Sequence, residues 1–179
     1  AHLERVSRED RAVAAPLAYA GSALRARLLP GWSGAPAVLV DAVLALSLLT
    51  VALQLLGAVG LFGAIAIVLV SLGIGAAARF ALPAAGAATP VASPPAPRVP
   101  RLQLWVALGV AAFVAAHWAT GLQDVWARGM LTFDTLWYHG PFAARIAESG
   151  SVWGLHFTDP LYLNWFYPQN SELLHATGI

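Results

Sequence analysis

The chain has 179 residues, 59% of them apolar and only 11% charged, with a mean hydropathy of +0.68. A soluble domain of this size leaves roughly a third of its unfolded-chain surface accessible and covers it with charge, so the composition excludes an ordinary soluble domain and implies lipid contact. A net charge of +1 points away from nucleic acid, and the absence of cysteine excludes disulfides, thiolate nucleophiles and cysteine-bound zinc.

Residues 1–36 begin polar, with Arg5, Arg8 and Arg11 among Glu4, Glu9 and Asp10, then Arg25 and Arg27. The breaker-rich Pro30-Gly31-Trp32-Ser33-Gly34 follows. No signal-peptide pattern is present, so this segment is expected to be a cytosolic lead-in. From Ala42 to Ala78 there is no charge at all. As one helix that stretch would be about 55 Å long, nearly twice the roughly 30 Å hydrocarbon core. It is therefore expected to cross twice, as a hairpin within residues 37–81 that turns near Gly57, Gly60 and Gly63. Asp41 falls at the entrance of its first helix.

Residues 82–101 hold Pro83, Pro90, Pro94, Pro95, Pro97 and Pro100, the composition of a semi-rigid, extended linker. A third uncharged helix is expected over 102–121, with Trp105 and Trp118 near its two ends as interfacial anchors. His117 reads as an imidazole reaching headgroup water. Eight of the ten arginines precede this helix, and only Arg128 and Arg145 follow it. The positive-inside rule then places the N-terminus and linker in the cytosol and residues 122–179 outside. The expected fold class is an all-α membrane protein with three transmembrane helices and an extracytoplasmic segment of amphipathic, interfacial helices.

Residues 122–179 differ from everything before them. They hold five of the nine acidic residues (Asp124, Asp134, Glu148, Asp159 and Glu172) and most of the aromatic ones. Flat amphipathic rings with carboxylates at a membrane surface suit a sugar, although rings alone suit a helix parked among headgroups. The pattern predicts an amphipathic helix over about 135–149, entered by Asp134 and ended by Gly150. Phe142, Ile146 and Leu136 are expected on its apolar side, with Arg145 and Glu148 away from it. Pro141 is expected to kink or restart it. Asp159-Pro160 and Tyr167-Pro168 read as turns, and Ser171 with Glu172 starts another helix. That helix begins as the sequence stops, so the chain is expected to be part of a longer protein.

The run Phe133-Asp134-Thr135-Leu136-Trp137-Tyr138-His139-Gly140-Pro141-Phe142-Ala143-Ala144-Arg145 resembles the first extracytoplasmic loop of the GT-C class of integral membrane glycosyltransferases. Those enzymes depend on dolichyl- or polyprenyl-phosphate sugars. The run Phe166-Tyr167-Pro168-Gln169-Asn170-Ser171-Glu172-Leu173-Leu174-His175 is similar to the continuation of that loop into the next helix in bacterial members. The resemblance covers about residues 102–179 and implies an N-terminal fragment of such an enzyme in the cell envelope. It would move a sugar from a polyprenyl-phosphate donor to an extracytoplasmic glycan, lipid or protein acceptor, with inversion. By position Asp134 would be the general base, a role that typically contributes roughly 10² to 10⁴ in rate. Trp137, Tyr138, His139, Arg145, Asp159 and Tyr167 would contact substrate. Some members use a divalent cation, Mg or Mn, and others use none; where one is used, Asp134 with a second acidic residue such as Asp159 would be its ligands.

Plainer readings stand beside these. Asp134 suits a helix N-cap worth roughly 1 kcal/mol. Tyr138 and His139 suit interfacial packing, and Arg145 a surface pair with Glu148 at i, i+3. Asn170 and Glu172 suit a cap on the next helix, and Tyr167 with Trp165 and Phe166 a membrane anchor. The histidines match no compact metal motif. The rival to the enzyme is a non-catalytic multi-pass protein whose outer segment binds a partner or headgroups. The spans lack the internal ionisable residues a transporter uses.

Overall fold

The computed structural model describes residues 2–82, 100–129, 131–155 and 169–178, with the backbone alone for residues 2–10. Among them every regular element is helical: α1 (His2–Leu28), α2 (Gly34–Ala58), α3 (Ala64–Ala81), α4 (Arg101–Arg128), a π-helical turn (Thr135–His139), α5 (Gly140–Ser149) and α6 (Asn170–Ala176). The proline-rich linker lies outside the described residues. The chain divides into two units, one of residues 1–88 with 138–179 and the other of residues 89–137.

Three helices, α2, α3 and α4, are long and apolar enough to cross a membrane. The expected hairpin is α2 and α3, and the reversal falls at residues 59–63. At 25 and 18 residues these helices are about 37 and 27 Å long. The third span, α4, runs 28 residues to Arg128, seven beyond its expected end. At about 42 Å it exceeds the hydrocarbon core, and its last two turns carry the Asp124–Arg128 ion pair and the almost fully exposed Trp126. Every α4 side chain is exposed within the structure, as suits a lipid-facing helix.

The largest departure from expectation is at the N-terminus. The supposed lead-in is a 27-residue helix, α1, packed along both α2 and α3. Val13, Leu17, Ala20 and Leu24 recur at three- and four-residue steps and form its covered stripe. The helix runs antiparallel to α2. Arg25 pairs with Asp41 at 2.6 Å at one end, Gly21 lies against Asp41 and Ala45, and Val13 reaches the cluster of Leu53, Phe62 and Ile67. The first turns of α1, with Arg5, Arg8 and Arg11, therefore head toward the α2–α3 reversal and away from Arg25, Arg27 and Arg79. Three of the eight arginines assigned to the cytosolic face do not share its end of this unit.

Small residues make this packing possible. A Cβ placed on Gly75 of α3 would lie 2.7 Å from the Pro16 Cβ and 3.1 Å from its Cα, whereas one on Gly73 meets nothing within 4 Å. Gly75→Val should therefore push α1 off α3 and destabilise the chain by about 1–3 kcal/mol. Gly73→Val, two residues away, should change stability by no more than about 0.5 kcal/mol. Denaturant unfolding in micelles, followed by circular dichroism, checks the pair.

Candidate functional site

The helical run of residues 133–149 joins the two units and contains most of the predicted site. It begins two residues earlier than expected, at Phe133. The Leu136 amide donates to the Thr132 carbonyl at 3.1 Å, and the Thr132 and Thr135 hydroxyls meet at 2.6 Å. Thr132 thus holds the cap position, which displaces Asp134 into the first turn. There its carboxylate is exposed and has no hydrogen-bond or ion-pair partner among the described residues. It sits favourably at the positive end of the helix dipole. Phe133 and Trp137 flank it in sequence with rings stacked at 5.3 Å and 16°.

Pro141 explains the next feature. It has no N–H to give to the helix ladder, and the run passes through the π turn of Thr135–His139 before α5 restarts with Pro141 in its first turn. The extra residue of a π turn shifts the facing of everything beyond it. Phe142 and Ile146 are fully buried as expected, but Leu136 is 61% exposed and does not share their face. Arg145 and Glu148 point away from the core, 4.0 Å apart. Gly150 ends α5 at φ +70°, its amide bonded to the Ile146 carbonyl at 2.9 Å.

The end of α5 is fastened to the reversal of the hairpin. The Phe62 amide donates to the Gly150 carbonyl at 2.9 Å, and the Val152 amide donates to the Gly57 carbonyl at 3.1 Å. The Trp153 indole N–H donates to the Ala58 carbonyl, and Gln54 to Asn170 at the start of α6. Phe142, Ile146, Leu155 and Leu173 close over Leu53, Leu56 and Phe62 to form one apolar cluster. Asn170 and Glu172, expected as caps of α6, make no cap bond.

Glu172 has a different place. It is 2% exposed, and its carboxylate takes His139 Nδ1 on one oxygen and the Ser171 hydroxyl on the other, at 2.9 Å. An ionised carboxylate so deeply buried is held only when paired and hydrogen-bonded. The pair spans 33 residues, so no local spacing announces it. Tyr138 leans on the His139 ring with centroids 4.0 Å apart and meets Phe142 edge-on at 6.0 Å.

Of the predicted substrate-contact residues, Tyr138, His139 and Arg145 belong to the first unit, while Asp134 and Trp137 belong to the second. Asp159 and Tyr167 lie outside the described residues, and with them the Asp134–Asp159 cation pair. Among the described residues no three His, Asp or Glu side chains are grouped to hold a metal ion.

Removal of Glu172 should be costly because it leaves His139 facing a buried void. Glu172→Ala is expected to lose about 3 kcal/mol of stability. Glu148→Ala, whose side chain is 72% exposed, should lose less than about 0.5 kcal/mol. Equilibrium unfolding of the two variants measures the contrast.

No protein-family model, curated protein or solved structure matches this chain.

Proposed function

We propose that the chain is the membrane-embedded front part of an inverting glycosyltransferase, which transfers a sugar from a polyprenyl-phosphate donor to an acceptor hydroxyl outside the cytosol. The observation that carries this reading is the state of Asp134. It is an exposed carboxylate without a partner among the described residues, in the first helical turn after a 28-residue apolar helix. A carboxylate free of cap and ion pair is available to a substrate proton. Its position shortly beyond a membrane helix is where a lipid-carried donor would present its head group, and the Phe133–Trp137 stack offers a flat surface for a sugar face. The likeness of 133–145 to the GT-C loop supplies the reaction class.

In this mechanism Asp134 takes the proton of the acceptor hydroxyl as that oxygen bonds to the anomeric carbon. The bond from that carbon to the phosphate oxygen breaks, and the polyprenyl phosphate leaves with the electron pair. Positive charge stabilises the leaving group. Arg128, the last residue of α4, and Arg145 of α5 are the arginines of this part of the chain, and each has a carboxylate neighbour. The cation ligands that the resemblance implies include Asp159, outside the described residues, so no step is assigned to Mg or Mn.

The proposed orientation is a multi-pass cell-membrane protein with residues 122–179 outside, and it rests on the flanks of each span. Arg25 and Arg27 precede α2, Arg79 lies in the last turn of α3, Arg98 precedes α4 and Arg101 opens it. The α2–α3 reversal has no arginine, and only Arg128 closes α4.

Asp134→Asn keeps the shape and removes the base. In membranes containing the complete gene product, sugar transfer from a polyprenyl-phosphate donor should fall by about 10² to 10⁴ with unfolding unchanged. Turnover close to that of the unsubstituted protein would return the chain to the non-catalytic, partner-binding reading.

A further inference from the structure

We infer that His139 and Glu172 form a sugar-hydroxyl subsite, in which His139 Nε2 accepts a hydrogen bond from the ligand and Glu172 is the positioning residue that makes it an acceptor. The inference rests on the glycosyltransferase reading for the class of ligand, and on the geometry of the first unit alone for its polarity.

An ionised carboxylate only accepts hydrogen bonds. Both oxygens of Glu172 are engaged, one by the Ser171 hydroxyl at 2.9 Å and one by His139 Nδ1. Where Glu172 accepts both bonds as a carboxylate, Nδ1 carries the hydrogen. In the neutral ring that choice leaves Nε2 with a lone pair and no hydrogen, since the tautomer of an imidazole is set by the bond its other nitrogen makes. Nε2 has no partner among the described residues. The ring is 28% exposed whereas the Glu172 side chain is 3% exposed. The carboxylate closes the Nδ1 edge, while the imidazole as a whole remains partly open.

What this site accepts follows from charge and donor count. The phosphodiester of a lipid-linked sugar presents only acceptor oxygens and negative charge, so it meets a lone pair with a buried carboxylate behind it. A sugar hydroxyl brings the donor that Nε2 lacks. The Tyr138 ring, 4.0 Å from the imidazole, supplies an aromatic flank of the kind that stacks on apolar sugar faces. The pairing therefore selects a neutral polyol and rejects the phosphate end of a lipid-linked donor. Glu172 fixes that selection from α6, beyond reach of the ligand.

The test is ring-nitrogen NMR of isotope-labelled histidine in the intact chain in nanodiscs, above neutral pH, with His139 assigned through His139→Asn. His139 should show a protonated Nδ1 and a bare Nε2, and Glu172→Gln should move it toward the Nε2–H form. A panel of methyl hexosides should then shift the Nε2 resonance with at least one member, dimethyl phosphate should not, and Glu172→Gln should lose the response. An Nε2–H ring in the unsubstituted chain overturns the inference. So does a response to dimethyl phosphate, or to none of the hexosides. Asp134→Asn separates this result from catalysis, because it sharply lowers transfer under the proposed mechanism while leaving the His139 response intact.

Discussion

The carbonyls at the C-terminal end of α2 govern the architecture of the first unit. The last four carbonyls of any helix lack an internal partner, and at the end of an apolar helix water is a poor substitute. Here Leu55 and Leu56 are served by the amides of Val59 and Leu61 in the reversal. Gly57 takes the Gly60 amide of the reversal and also the Val152 amide from far along the chain, and Ala58 takes the Trp153 indole. The reversal of the hairpin and the end of α5 thus satisfy one another. The Phe62 amide returns the bond to Gly150, whose positive φ lets the chain leave α5 in the required direction.

That closure fixes what lies around it. A Cβ on Gly150 would stand 3.3 Å from the carbonyl oxygens of both Gly60 and Phe62, so the two segments touch backbone to backbone. With the end of α5 anchored there, Phe142 and Ile146 turn onto Leu53 and Leu56. Then α6 lies across them, with Leu173 in the same cluster. Burying α6 carries Glu172 into the interior, where His139 is the side chain able to meet it. The histidine–glutamate pair is thus a consequence of the reversal, imposed by packing rather than by local sequence. All of it lies at the reversal end of α2 and α3, opposite Arg25, Asp41 and Arg79.

Much of the membrane scaffold was legible in the sequence because hydrocarbon sets strict lengths. An uncharged run from Ala42 to Ala78 is too long for one crossing, and Gly60 and Gly63 lie where it reverses. The helix α1 was not foreseen, because its charged first turns and Pro16 conceal a narrow stripe. The spacing of Val13, Leu17, Ala20 and Leu24 was the available signal. Gly150 as a stop and Pro141 as a restart were readable, since each follows from backbone chemistry. The exposure of Leu136 was not, because a π turn changes the period without changing composition. Nor was the burial of Glu172, which depends on a contact between distant segments. The placement of Asp134 was legible only in part: Thr132 takes the cap, and the Asp134 carboxylate has no partner among the described residues.

The sidedness of the reversal end and of Asp134 is the claim on which the functional account stands. Because the chain contains no cysteine, single cysteines placed at Ser151 and at Asp134 can be labelled in sealed cells with a membrane-impermeant maleimide. The account predicts that both are labelled from outside while the cells are intact, and that a cysteine placed at Arg27 is labelled only after the membrane is opened. Labelling of Arg27→Cys in intact cells, with Ser151→Cys and Asp134→Cys protected until lysis, would contradict it.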